Sequence, residues 1–411
     1  MTDRITADTV AEAVGLLHAN GAETARTLER AAQIGRAAGV GRVTFEPGWS
    51  SSYLEVDGLG RHLEVVPANV AMNRAAAADE AIDDLSARRA TVEQTLVRLR
   101  AAAALPPAGT VLFAAACAVG ASGLSIILGV RHAETVAVIA VSAAVGAVIR
   151  RLIGRLGGNN FWQAGAAALI AGLIGAAWVV LGDSSALRLA AVCPCMVLVP
   201  GPHLLNGALD VAANRLPLGL ARLTFATVTL LCISTGLLLG LAAAGADLAL
   251  DAPGRDIPLP FDVVVAGVVA VCYGIFYSAP LRMLYWPLLV GGLAHGVHWV
   301  AQENLHWNGA SASGLAALVA GAILGPVSRR FRMPFAAIGF ASVVSMMPGL
   351  LVFRAMSGLV QLQHADGARA TALLAQAIND ITMATATVFL LALGLLMPAA
   401  VDRVIRRRRT R

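Results

Sequence analysis

Leu198-Val199-Pro200-Gly201-Pro202, and again Ser345-Met346-Met347-Pro348-Gly349, interrupt two apolar stretches of this 411-residue chain, 186–208 and 335–357. Proline removes a backbone donor and clashes with the turn before it, while glycine tolerates the resulting bend. Each run therefore predicts a helix broken near its middle. Pro and Gly are common enough in membrane helices that one such break would say little. Two at corresponding places in the chain ask for a common explanation.

The surroundings of the breaks are those of a membrane protein. Hydrophobic residues make up 57% of the chain and charged residues only 14%, whereas a soluble domain carries closer to ~25% charge. The imbalance is uneven: residues 1–100 hold ordinary numbers of Glu, Asp and Arg, and the chain after Pro107 is apolar for window after window. A helix needs about 20 apolar residues to cross the hydrocarbon core. That length places spans near 108–129, 133–149, 161–181, 186–208 and 218–244, then near 261–279, 283–301, 311–327, 335–357 and 382–400.

The connecting loops orient these ten spans. Arg98 and Arg100 precede the first. Arg150, Arg151 and Arg155, then Arg215, then Arg282, then Arg329, Arg330 and Arg332 fall on alternate loops, and the tail carries Arg403 and Arg406 to Arg409. The intervening loops hold Arg131 with Glu134, then Asp183, then Asp247, Asp251, Arg255 and Asp256, then Glu303, and the segment around Asp366, Arg369 and Asp380. The positive-inside rule then puts both termini in the cytosol. No apolar segment in the first thirty residues resembles a secretory signal, which agrees. The net charge of +6 comes from arginines at span ends, so it speaks for membrane orientation and not for nucleic acid.

Ten spans divide as five plus five, and an odd number per half turns the second half upside down in the membrane. The expected architecture is an α-helical polytopic membrane protein of about ten spans in two inverted five-helix repeats, 105–247 and 258–402. A small α+β cytosolic domain (1–104) precedes them and a basic tail (403–411) follows. Inverted repeats with discontinuous helices meeting at the midplane are a device of secondary transporters, where freed backbone groups hold cargo or ions.

Polar residues gather by the breaks. His203, Asn206 and Asp210 follow the first at intervals of three and four, which stacks them on one helix face. Ionisable groups this deep face a cavity or a partner, and Arg222, opening the fifth span, can pair with Asp210. In the second half Arg354 lies six residues past Pro348, and Asn379 and Asp380 open the last span. Snorkelling to the interface is the alternative for Arg222, Arg354 and Asp380, and tight packing is the alternative for His203, whose imidazole would suit a proton carrier. Thr382, Thr385 and Thr387 are read as helix-packing hydroxyls. The five cysteines lie in apolar segments, so Cys193-Pro194-Cys195 reads as packing and no metal or cofactor is expected.

The N-terminal region reads as a helix over 6–20 stopped by Gly21, a second over 22–38, strands at 40–45, 52–56 and 62–66 around Pro47-Gly48 and Asp57-Gly58 turns, and a long helix over 69–104. No phosphate-binding loop, dinucleotide fingerprint, metalloprotease or nucleophile-elbow motif occurs in it.

At these residues the chain resembles the threonine/serine exporters, over nearly its whole length. GAETARTLERAAQIGRAAGV (21–40) is similar to that family's N-terminal motif, VPGPHLLNGALDVAANRLPLGLAR (199–222) to its first-half motif, and Met347-Pro348-Gly349, with Arg329-Arg330 and Pro334 before it, to its second-half motif. The resemblance implies a carrier, not an enzyme, in the cytoplasmic membrane, moving threonine and serine outward and coupled to protons. The motif residues it implicates are Glu23 and Thr24, then Pro200, Gly201, Asn206, Asp210 and Arg222, then Pro348 and Gly349. Export of another small metabolite such as a dicarboxylate is the alternative within transport. A membrane-anchored enzyme or sensor built on the N-terminal domain is the alternative outside it, although Glu23, taken as one residue into a helix, equally suits the positive end of the helix dipole. A homo-oligomeric assembly is left open.

Overall fold

The computed structural model describes residues 2–181, 187–243, 245–246, 248, 257–331, 333 and 335–409. The loop residues Asp183, Asp247, Asp251, Arg255, Asp256, Arg332 and Pro334 lie outside the described residues, as do the side chains of Arg403 and Arg406 to Arg409.

The first hundred residues fold as α1 (Thr2–Ala19), α2 (Thr24–Ala37), β1 (Val43–Glu46), β2 (Ser52–Val56), β3 (Leu59–Leu63), α3 (Met72–Ser86) and α4 (Val92–Ala103). The strands form one antiparallel sheet in the order β1-β2-β3. Asp57 and Gly58 both have positive φ, the backbone of a two-residue hairpin turn. The chain therefore returns at once, pairing Val56 with Leu59, and the third strand begins three residues before the 62–66 expected. The expected long helix over 69–104 is two helices. Arg88 adopts a left-handed backbone, and Thr91 and Gln94 close a reciprocal capping box that starts α4 afresh. Val10, Leu17, Ile34, Leu54, Ile82 and Leu99 share a hydrophobic core with no member from the chain beyond Ala103 among the described residues. Asp79, fully buried on α3, is held by Arg26 and Arg30 of α2, each at 2.8 Å.

The remainder is helical: α5 (Thr110–Ile127), α6 (Ala133–Arg155), α7 (Asn160–Leu181), α8 (Leu187–Met196), α9 (Gly201–Ala212), α10 (Leu216–Ala242), α11 (Leu259–Phe276), α12 (Tyr285–Glu303), α13 (Gly309–Phe331), α14 (Phe335–Val343), α15 (Gly349–Leu362) and α16 (Gly367–Arg409). Short 3-10 turns, Leu281–Met283 and Val344–Met346, precede α12 and follow α14. Among the described residues seven helices are long and apolar enough to cross a membrane, and nine spans result if each bent pair, α8 with α9 and α14 with α15, counts as one. Ten is not reached on that measure. The missing span is α12, which forms a 19-residue helix but carries His295, His298 and Gln302 among its apolar residues. The protein is thus a mostly helical, multi-pass membrane protein.

Its packing is that of lipid-facing helices. Large apolar side chains such as Val111, Val141, Leu239, Val264, Leu289 and Phe389 point outward, while small residues mediate contact between helices, as expected where lipid is as apolar as leucine. Gly172 with Gly240 brings α7 against α10, and Gly314 with Gly394 does the same for α13 and α16. Helix partnerships correspond across the two sets: α5 with α6 and α11 with α12, α7 with α10 and α13 with α16, α9 with α10 and α15 with α16.

Candidate functional site

Both Pro-Gly runs break their helices, by 56° at Pro200 and 50° at Pro348. Pro200 (φ −80°, ψ 58°) and Pro348 (φ −82°, ψ 39°) occupy the N-cap positions of α9 and α15 in nearly the same conformation. The carbonyl of Met196, which can receive no N–H from Pro200, accepts the Val199 N–H at 3.3 Å and the Tyr273 hydroxyl of α11 at 2.9 Å. The breaks lean on each other. A Cβ on Gly201 would run into the ring of Phe340 on α14, and a Cβ on Gly349 would come 3.2 Å from Val199 and 3.5 Å from Met196. Each glycine thus admits the other broken helix pair.

Beside the first break, His203, Asn206 and Asp210 of α9 and Arg222 of α10 are all buried. Asp210 Oδ2 lies 3.4 Å from Arg222 Nε and accepts the Thr24 hydroxyl at 3.0 Å. Its Oδ1 lies 3.4 Å from Arg215. Arg222 is only 1% exposed, yet its Nε and Nη2 have no hydrogen-bond partner among the described residues, nor has the Asn206 side-chain oxygen. Buried charged donors are ordinarily satisfied, so this guanidinium has capacity for an anion.

The other partners here come from the N-terminal region. Gly21 ends α1 with φ +85°, and its carbonyl accepts Asn206 Nδ2 at 3.2 Å. Thr24 is the first residue of α2, while Glu23 is its N-cap and not, as expected, a residue inside it. Trp49 packs edge-on to His203 (6.2 Å between ring centres) and tilted on Phe225 (5.0 Å). His18 Nε2–H donates to the Gly48 carbonyl at 2.8 Å, steadying the turn that carries Trp49. Burial first, and the nearby Arg222 charge second, pull the His18 pKa down to about 4. The region is also tied to the bundle through backbone bonds from Met72 and Asn73 to Tyr277 and Ser278, at 2.9 and 3.1 Å. A cavity of about 700 Å³ adjoins Pro200 and His203, and Arg74, Arg150, Arg151 and Arg155 line it.

Beside the second break the expected residues also meet. Arg354 Nε of α15 lies 3.4 Å from Asp380 Oδ2 of α16, an acid–base pair with the helix roles exchanged relative to Asp210 and Arg222. Asp380 does not open its helix, however. α16 begins at Gly367, so this carboxylate is carried thirteen residues in and is 2% exposed. Three further ionisable residues here escape a reading centred on the breaks: Asp262 of α11 and His295 and His298 of α12, all buried. Their signal was available, since acid and imidazole inside apolar runs are rare. His295 Nε2 is 3.2 Å from Asp262 Oδ2, and its Nδ1 is 3.0 Å from the Ser345 hydroxyl. A cavity of about 510 Å³ joins His295, His298, Ser345, Pro348, Arg354 and Asp380.

A multi-pass helical bundle with two broken helices and buried charge pairs beside them has the architecture that membrane carriers use. Two family models match the chain, one described as a putative threonine/serine exporter over residues 8–244 and one as a threonine/serine exporter, ThrE, over 262–401. The chain belongs to the threonine/serine exporter family. A probable threonine/serine exporter of Mycobacterium tuberculosis (strain ATCC 25618 / H37Rv) is 30% identical over 230 residues, 53% of this chain and 43% of that protein. The match thus spans less than half the length of that relative. No solved structure matches the chain. Among the described residues no group of three His, Cys, Asp or Glu is arranged to hold a metal ion.

Proposed function

We propose that this chain exports threonine and serine across the cytoplasmic membrane in exchange for protons, through ten spans arranged as two inverted five-helix halves with both termini in the cytosol. The observation that carries the reading is the buried, incompletely bonded Arg222 beside Asp210 at the first break. A hydroxy amino acid is a zwitterion with a short hydroxyl arm. Its carboxylate would complete Arg222, and its ammonium and hydroxyl would suit Asp210, whose Oδ2 already accepts a threonine hydroxyl from Thr24. The helix pairings repeated in the same order across the two sets, and breaks that pack on each other, support the two-half arrangement. Pro200, Gly201, His203, Asn206, Asp210 and Arg222 would line the cytosolic arm of the pathway, and Pro348, Gly349, Arg354 and Asp380 the outer arm. Glu23 and Thr24 would close the cytosolic arm from the N-terminal domain, which must withdraw for cargo to reach Asp210.

The test is counterflow of labelled threonine in vesicles reconstituted with the pure protein, with serine as competitor. Failure of vesicles containing folded protein to accumulate label would sink the reading. One observation favours a second cargo class: four arginines line the cavity beside Pro200, and they suit a dicarboxylate. Succinate that outcompetes serine in the same vesicles would select that cargo.

A further inference from the structure

Arg74, Arg150, Arg151 and Arg155 line the 700 Å³ cavity beside Pro200, and no aspartate or glutamate lines it with them. Arg150, Arg151 and Arg155 belong to the last turns of α6, whereas Arg74 comes from the first turn of α3. The cavity therefore straddles the seam between the N-terminal region and the bundle. Cations at the end of a span ordinarily reach outward to water and headgroups. Two of these turn inward: Arg150 lies over the Phe276 ring of α11 at 4.9 Å, and Arg151 over the Phe113 ring of α5 at 4.2 Å. The hydrogen bonds of the set go to neutral oxygens. Arg151 donates to the Ala108 carbonyl at 3.0 Å, Arg155 to the Thr110 hydroxyl at 3.3 Å, and Arg74 to the Leu105 carbonyl at 2.9 Å. Arg150 makes none among the described residues. Four guanidiniums fixed by rings and neutral oxygens, with most of their donors unspent, call for an anion.

We propose that this cavity binds a phosphate ester, its phosphate group held by Arg74, Arg150, Arg151 and Arg155. A phosphate offers three acceptor oxygens and up to two charges, and planar guanidinium forks match it in pairs. The volume is that of an ordinary ligand pocket, about 300–1,000 Å³, and more than a bare inorganic anion fills. Phe113, Phe225, Phe276 and Tyr277 also line it, so an organic remainder has apolar surface to cover. Thr110 opens α5 and Arg155 closes α6, which puts the cavity at one face of the membrane. A soluble ester and an acidic lipid headgroup can both reach it there. Once bound, the ester joins α3 to α6 and fastens the region whose Thr24 bonds Asp210. The site does not depend on what the chain carries.

The unfolding temperature of the purified protein in detergent reads binding, because a ligand of the folded state raises it. Glycerol 3-phosphate and phosphatidic acid present the same phosphate monoester from water and from lipid, with zwitterionic phosphatidylcholine as the blank. A rise with glycerol 3-phosphate assigns a soluble ester. A rise with phosphatidic acid alone, beyond that with phosphatidylcholine, assigns a lipid headgroup. No such rise with either probe overturns the proposal. An equal or larger rise with succinate at the same concentration also overturns it and returns the cavity to carboxylates.

Arg150→Gln and Arg151→Gln are each expected to raise the half-saturating concentration about tenfold or more, the effect of losing one charge-assisted contact. Arg282→Gln, in a turn outside the cavity, should leave it unchanged. An unchanged value in either cavity variant, or an equal loss in Arg282→Gln, marks general attraction to a basic surface and overturns the site. Should both cavity variants fail to fold, Arg155→Gln, at the exposed rim, decides by the same measure.

Discussion

Asp210 answers to three groups at once, the Thr24 hydroxyl, Arg215 and Arg222, and is itself buried. Neutralising it leaves Arg222 buried without a counter-charge, a change that costs about 3–5 kcal/mol in comparable pairs. Asp210→Asn is therefore expected to insert but to lose threonine transport. Efflux from reconstituted vesicles at the wild-type rate would refute that. Arg222→Lys should be nearly as damaging, because a point charge cannot offer the fork of donors that a carboxylate uses; a threonine titration would show it as weakened binding. At this scale the sequence was readable where spacing on one helix sufficed, as for His203, Asn206 and Asp210. It misplaced Asp380, because Asp366, Arg369, Gln376 and Asn379 interrupt the apolar run ahead of residue 382 and look like a loop until helix α16 is seen to run through all but the first. Asp262 and His295 went unread because their meaning lies in facing each other from two helices.

The broken helices make the clearest case for what pattern alone can deliver. A proline and a glycine at matching places announced both bends, and the bends are there, at 56° and 50°. What pattern could not supply was that Gly201 abuts Phe340 and Gly349 abuts Met196 and Val199. Gly201→Ala would force a methyl group into a buried aromatic ring, and overpacking of this kind costs typically about 1–3 kcal/mol. The expected outcome is a lower unfolding temperature in detergent and slower exchange, with Ala at the open position Gly325 as the neutral comparison. Elements shorter than a span were the least legible. The single helix expected over 69–104 hid a capping box at Thr91 and Gln94, a signal present in the sequence but outweighed by continuous helical periodicity.

For the whole molecule, the contact between the N-terminal region and the bundle is the main thing the sequence concealed. Thr24 and Asp210 are 186 residues apart, and no local rule joins them. The contact can be probed by pH. His18 is neutral when folded, with its pKa near 4, whereas an unfolded chain would protonate it near ~6.5. Its folded pKa is depressed, so its contribution is complete above pH ~6.5 and is lost as pH falls toward 4, by about 1.4 kcal/mol per unit. Acid should therefore loosen the Gly48–Trp49 turn, read as lower hydrogen-exchange protection there relative to the intrinsic rate at each pH. His18→Gln should flatten that dependence, and an unchanged profile would refute the account. Cysteines at positions 49 and 225, joined by a short thiol cross-linker, should stop transport until the link is cleaved. Four native cysteines are buried and Cys232 is half-buried, so a Cys232→Ser background keeps the reaction at the introduced pair.

The reciprocal packing of the two breaks has a genetic consequence. A bulky residue at position 201 crowds Phe340, so its natural suppressor lies not in the same helix but some 140 positions away, in the other half. A screen that starts from a defective Gly201→Ala should return smaller side chains at 340, and one that starts from Gly349→Ala should return changes at 196 or 199. Each half of the molecule would then constrain which variants the other half can accept.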